Sequence, residues 1–443
     1  MHDQAPTPAP ARARRRLRSG IVTLALGAAL FTVGAVVLPP DGHTTAEASR
    51  PAPPARGTLG ALKDRVRHVP RDAGAWAALG MAYVQQARST ADPGTYDRAE
   101  KALRRSLTEQ PDDNTDAQIG MGALAAARHD FPTALDWARQ ATTSAPYNPV
   151  AYGVLADAYT QLGRYPAAYR AVQRMNDLRP DAPALARASY TFELRGKIGQ
   201  AVALMRRSLN AASTTGERSF AHTVLSTLAL QSGDARGARR EAQAGLREAP
   251  DDSALLEARA RAHAALGKPS QAVADYRAAI AVAPLPHYLL GLGELQQSLG
   301  HPQEAEAQYA VLRGQEAIRR SEHAVADTDA ILFEADHGRP SQAVTMAQEA
   351  LRTRPFIAVH DALAWALHRD GRHREALGQA DRALALGTRN ALFLYHRAVI
   401  HHSLGDDAAA RSDLKAALST EPHFHPLHAA TARALLQRID NTP

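Results

Sequence analysis

The sequence predicts an all-α fold built from stacked copies of one helix-turn-helix unit, and three observations predict it. Prolines recur at a fixed spacing: Pro146 to Pro180 and Pro250 to Pro284 are each 34 residues apart. Glycines recur between them, at Gly163, Gly196, Gly233, Gly267, Gly300, Gly338, Gly371 and Gly405, where a left-handed C-cap would close one helix before the next begins. Aromatics supply only 5% of the 443 residues while hydrophobic residues supply 45%, much of it alanine, which suits helices that pack closely through small side chains.

The chain opens differently. Residues 1–20 form a basic tail containing RARRRLR at 12–18, and Ile21 to Leu38 follow as 18 residues without a charge. At ~1.5 Å per residue such a helix spans ~27 Å, enough for a bilayer core, and Pro39-Pro40 stops it. Cationic residues ahead of the span orient it with the N-terminus in the cytoplasm and everything after Pro40 outside. A cleavable signal peptide is the alternative, because Ala46-Glu47-Ala48 offers a small-residue site with cleavage before Ser49. Residues 39–57 are a Pro/Ala-rich linker.

From residue 58 the repeat takes over. Trp76-x2-Leu79-Gly80-x2-Tyr83 is followed by Ala99-x3-Leu103 and Pro111, and Tyr152, Leu155, Ala156, Tyr159, Ala168, Val172 and Pro180 repeat the order. On this pattern the segment 58–422 resembles the tetratricopeptide-repeat family, with ten motifs. The resemblance implies a right-handed superhelical solenoid that completes more than one turn. It also assigns jobs: a small residue (Gly80, Gly122, Ala156, Ser189, Ser226, Ala260, Gly293, Ala364, Ala398) lets the partner helix approach, and the proline ends the second helix.

In this register the first helices start near Ala73, Thr115, Pro149, Ala182, Ser219, Ser253, Pro286, Ala324, Ile357 and Ala391. Three spacings exceed the period: one at Ser89–Thr95, one near Gly216–Arg218 and one near Ile318–His323, the last two expected to lengthen a second helix or kink the stack. Thr58–Val69 reads as a preceding half-motif. Residues 423–443 hold a closing helix, Leu427–Arg438, and a tail, because a terminal repeat must cover the apolar face an inner one hands to its neighbour.

Chemistry is sparse. With no cysteine, disulfides, thiolate zinc sites, Fe–S clusters and cysteine nucleophiles are excluded. No phosphate-binding loop, nucleophile elbow, H-E-x-x-H or EF-hand loop is present, so no catalytic residue and no cofactor is expected. His423, His425 and His428 are spaced for a metal but lack a fourth ligand, and read as a solvated loop and cap; no metal is expected. Net charge is +7, of which the first 50 residues hold +3 (six Arg against three acids); without a basic stripe interleaved with aromatics, nucleic acid is not an expected partner.

The resemblance places the concave wall on the second, fifth, ninth and twelfth residues of each motif. Those places carry Asp157, Tyr190, Glu193, Phe220, Glu257, Arg261, His287, Glu294, Asp361, Trp365, His368, Tyr395 and His402. Aromatics beside single charges suit a peptide groove. The expected function is therefore a non-catalytic scaffold that binds a peptide or partner protein in the groove, held by the N-terminal helix on the outer side of the cytoplasmic membrane. The alternative is an envelope-assembly carrier or regulatory subunit recruiting a glycan-processing enzyme.

Overall fold

The computed structural model describes residues 59–90, 94–321 and 325–441. The apolar run 21–38 and the linker after it lie outside the described residues. Among the described residues no helix is long and apolar enough to cross a membrane.

The described residues form 22 helices and no strand. A short helix, α1 (Leu59–His68), precedes ten helix pairs. The first five pairs are α2 (Ala73–Thr90) with α3 (Gly94–Glu109), α4 (Thr115–Ala127) with α5 (Phe131–Ser144), α6 (Pro149–Gln161) with α7 (Tyr165–Leu178), α8 (Ala182–Glu193) with α9 (Ile198–Ala211), and α10 (Thr215–Leu230) with α11 (Ala235–Glu248). The second five are α12 (Ser253–Ala265) with α13 (Pro269–Val282), α14 (Pro286–Ser298) with α15 (Pro302–Ser321), α16 (Thr328–His337) with α17 (Pro340–Thr353), α18 (Ile357–Arg369) with α19 (His373–Leu384), and α20 (Ala391–Ser403) with α21 (Asp407–Thr420). The closing helix is α22 (His428–Asn441).

Local chemistry sets these boundaries. Asn114, Asp130, Asn148, Asp181, Asp234, Asp252, Asn390 and Asp406 accept backbone N–H groups at helix N-termini, and Thr214 with Glu217 forms a reciprocal capping box. Pro111, Pro146, Pro180, Pro250, Pro284, Pro355 and Pro422 each stand two residues beyond the last helical residue of a second helix, because the residue before a proline cannot hold helical backbone comfortably.

Two first helices depart from the sequence register. The α10 helix begins at Thr215, not Ser219, because the Thr214 capping box recruits the extra residues 216–218 into the first helix. The α16 helix begins at Thr328, not Ala324, since Asp327 caps it by accepting from Ala330 N at 2.7 Å. The surplus near Ile318 lengthens α15 instead. Gly338 is the exception among the glycines: its φ is −132°. There Glu334 Oε1 accepts the N–H of Arg339 at 3.1 Å, doing the work a left-handed residue does elsewhere.

The small residues of the first helices sit against close neighbours: Gly80 faces Leu103 of its own pair, and Gly122 faces Val154 of the next motif. Ser189 and Ser226 go further, donating their hydroxyls to the carbonyls of Ala201 and Ala238 at 2.7 and 2.9 Å. At Gly293 an added Cβ would overlap the Tyr309 ring. That ring stacks on His337 with centroids 4.3 Å apart, and its hydroxyl donates to Gln297 Oε1 at 2.9 Å, so it has nowhere to turn. Gly293→Ala is therefore expected to destabilise by ~1–3 kcal/mol in thermal unfolding. In an uncrowded helix the same change stabilises by ~0.4–1 kcal/mol, so a raised melting temperature would refute the contact.

The solenoid turns far enough to touch itself. The inner turn of the third motif (Gly163) packs on the carbonyl of Pro355, which follows the eighth, and a Cβ at Gly163 would overlap it. The turn of the fourth motif (Gly196) packs on the carbonyl of Gly387, which follows the ninth, and that of the fifth (Gly233) faces Pro422 after the tenth. Between these rungs the backbone N–H of Ile357 donates to Tyr165 Oη at 3.0 Å. A full superhelical turn thus takes between five and six motifs, and the ten motifs exceed one turn as expected.

Candidate binding channel

The first helices face inward and enclose a channel of about 2830 Å³. Small-molecule pockets usually hold ~300–1,000 Å³, so this space is scaled to a polymer or to a partner's helix. Its wall is contributed by the first helices from α2 to α16 and by the starts of α18 and α20, with the segment between α21 and α22 forming part of one side.

Along its first half the expected groove residues come together. Asp157 on α6 accepts both a 2.9 Å and a 2.7 Å bond from the guanidinium of Arg187 on α8, a bidentate pair. Asp157, Arg187, Tyr190, Glu193 and Phe220 line a small side pocket of about 30 Å³ at the edge of the channel. Gln231 Nε2 donates to Glu193 Oε1 at 3.0 Å. Burial raises the Glu193 carboxyl above its ordinary pKa and the Gln231 bond offsets part of that; burial, with the Glu193 charge beside it, also raises the Tyr190 hydroxyl.

In the middle, Glu257 and Arg261 on α12 form a loose ion pair at 3.8 Å, and burial raises Glu257. His287 stacks edge-on against Tyr288, has no partner on Nδ1, and is pushed by burial and the Arg261 charge down to about 4. Glu294 on α14 is different. Burial would raise it, but His425, 3.0 Å away, and His337 hold it at about 2. The same carboxylate overcomes burial at His425 and raises that imidazole.

The last part of the expected groove is not groove. Trp365 and Tyr395 are 2% and 3% exposed, with ring centroids 6.0 Å apart as neighbouring motifs require, but they are core residues. Trp365 stacks on His396 at 4.2 Å, and its indole N–H donates to Asp336 at 3.0 Å. Asp361, 1% exposed, accepts from His396 Nδ1 at 3.0 Å. His368 stacks on Trp365 at 5.2 Å, and burial holds its pKa at about 4. His402 sits at the exposed end of α20, 2.6 Å from Asp407. The physical reason is the chain's own end. His428 lies 5.4 Å from Trp365 and 5.0 Å from Tyr395, Phe424 lies 5.6 Å from Tyr395, and His428 Nε2 approaches Asp336 at 3.6 Å. Residues 421–428 occupy this stretch of wall from within.

His423, His425 and His428 are therefore not a simple solvated loop, since two of them reach across to α14 and α16. No group of three His, Asp or Glu among the described residues is arranged to hold a metal. Asp336 and His337, which complete the contact, fall outside the wall places of the sequence register, which runs four residues early in that motif. The spacing His425-x2-His428 is the signal that points to them.

A family model of the tetratricopeptide repeat matches residues 84–149, 223–285, 257–317 and 362–423. Among solved structures, the chain is similar to a thermophilic tetratricopeptide repeat protein of Thermus thermophilus, at 25% identity over 39% of this chain and 91% of that one, with a TM-score of 0.35. A tetratricopeptide repeat protein from Parabacteroides merdae is 18% identical over 59% of this chain and 99% of its own, TM-score 0.34. The human IFIT1 dimer with PPP-AAAA is 14% identical over 81% of this chain and 85% of its own, TM-score 0.46. No curated protein sequence matches the chain.

Proposed function

We propose, from the premise that this chain belongs to the tetratricopeptide-repeat family, that it is a non-catalytic scaffold holding an extended peptide or a partner's helix in its inner channel. One observation carries the reading. The wall from α6 to α14 sets Asp157, Phe220, Glu257, Arg261, His287 and Glu294 side by side on a channel larger than small molecules need. Apolar side chains there offer area, and single charges between them select among partners. Tethering on the outer side of the cytoplasmic membrane, by the run Ile21–Leu38, is part of the same proposal and rests on sequence alone.

The test uses the full-length chain in its host. A photo-crosslinking residue is placed at Phe220 or Leu290 in the channel, and for comparison at Arg105 or Arg240 on exposed second-helix faces. Channel positions are expected to capture a defined protein from the membrane fraction, and the second-helix positions are not. Equal capture from both would move binding off the channel, and a soluble product beginning at Ser49 would replace the anchor with a signal peptide.

A further inference from the structure

We infer that the occupant of the channel is a positively charged extended peptide, with a lysine or arginine side chain placed among Glu257, Asp329 and Glu421. This rests on the channel reading above and names the chemistry of its partner.

Charge is the first argument. The protein as a whole is net +7, yet its channel is lined by ten carboxylates, five arginines and no lysine. Several of those acids are already engaged. Asp157 is paired with Arg187, Asp181 with Arg179, and Glu294 with His425, while Glu217 and Asp252 cap helices. Glu257, Asp329 and Glu421 are not so served. They come from α12, α16 and the turn after α21, and all three line the channel. Glu257 has only the 3.8 Å contact with Arg261, and neither Asp329 nor Glu421 has a cation within ion-pair distance among the described residues. Arg261 faces Glu257 and Glu421, and Arg354 faces Asp329 and the neighbouring Asp327, so two arginines serve four acids and cannot neutralise them all. Burial raises the proton affinity of each, as expected where negative charge lacks a counter-ion. A cationic side chain supplies what the protein leaves out; an acidic peptide or a polyphosphate would add like charge.

Unmet hydrogen-bonding groups are the second, independent argument, and they describe a backbone. Gln161 is 1% exposed, lines the channel and has no partner on Oε1; Gln231 repeats this with its own Oε1. Arg354, 3% exposed, also lines the channel and has no partner on Nε or on one terminal nitrogen. Buried polar atoms are nearly always paired, so orphan acceptors on α6 and α10 and orphan donors at Arg354 mark places where a ligand's groups belong. An extended peptide presents both N–H and C=O along its length, whereas a partner's helix has already used them internally.

The experiment measures fluorescence polarisation of short random-sequence peptide pools, matched in hydropathy and differing in charge, on full-length protein in detergent. The cationic pool is expected to bind roughly tenfold more tightly than the neutral pool, with affinity falling as salt is raised. Asp329→Asn together with Glu421→Gln is expected to remove most of that preference without lowering the melting temperature, since neither carboxylate is held in an ion pair and the Glu257–Arg261 contact is kept. Should the variant fail to fold, the pool comparison and salt series on the wild type still decide. Equal or tighter binding of neutral or acidic pools at the channel would overturn the cationic assignment and leave the scaffold reading standing. Binding of no pool at the channel would sink both.

Discussion

Replacing Trp365 and Tyr395 together by alanine is expected to unfold the C-terminal motifs, not to strip a binding site from a folded protein. Truncating a buried aromatic costs ~3–5 kcal/mol. Trp365 in addition leaves Asp336 without its indole donor and His396 without its stacking surface. The loss should fall on α16 to α22, whose residues share one continuous hydrophobic cluster, while motifs near the N-terminus hold. Thermal circular dichroism would show an early transition, and hydrogen exchange would locate it. A double variant that keeps its melting temperature would show that the rings are accessible after all.

His425→Ala is expected to release the chain's end from the channel wall. It leaves Glu294, 6% exposed, with only the 3.8 Å contact to His337, and removing one partner of a buried pair typically costs ~3–5 kcal/mol. The released segment should be cut by protease near residues 421–428 while the rest resists. The pH dependence has a definite sign. Glu294, held at about 2, contributes stability that is complete above the ordinary carboxylate pKa and lost as pH falls toward 2. His425, raised, contributes stability that is complete below the ordinary imidazole value and lost as pH rises through its folded value. Burial lowers the His428 pKa despite its Asp336 contact, so His428 does not share that alkaline loss. Cleavage should therefore accelerate above neutral pH in the wild type and become insensitive to that change in His425→Ala. A wild-type segment equally protected across that range would show the pair contributes nothing.

The repeat is legible in the sequence because each motif states its own boundaries. Eight of the ten first helices begin at the residue expected, and prolines and glycines explain why. The two that differ sit beside surplus residues, and a surplus can be given to either helix until a cap decides. Thr214 decides one and Asp327 the other. The wall from Asp157 to Glu294 can be read from motif positions, since orientation within a first helix follows from the repeat. Trp365 and Tyr395 occupy equivalent positions and differ only in what covers them. No local pattern says that α22 and the turn before it fold inward, and so a groove residue and a core residue look alike in sequence.

The seam between successive turns changes what kind of object this is. A chain of units that touch only their neighbours behaves as a soft spring, which stretches by small rotations and comes apart one coil at a time. Here Arg354 reaches His129 across 225 residues of sequence and Ile357 reaches Tyr165 across 192. Pulled from its ends, the coil must first tear that seam, so a force trace should begin with one stiff event before the compliant, stepwise part. During synthesis the third and fourth motifs emerge long before the segments that will close over them, and they wait with one flank open. Loop closure over such distances is slow, so the coil locks last and locks as a whole.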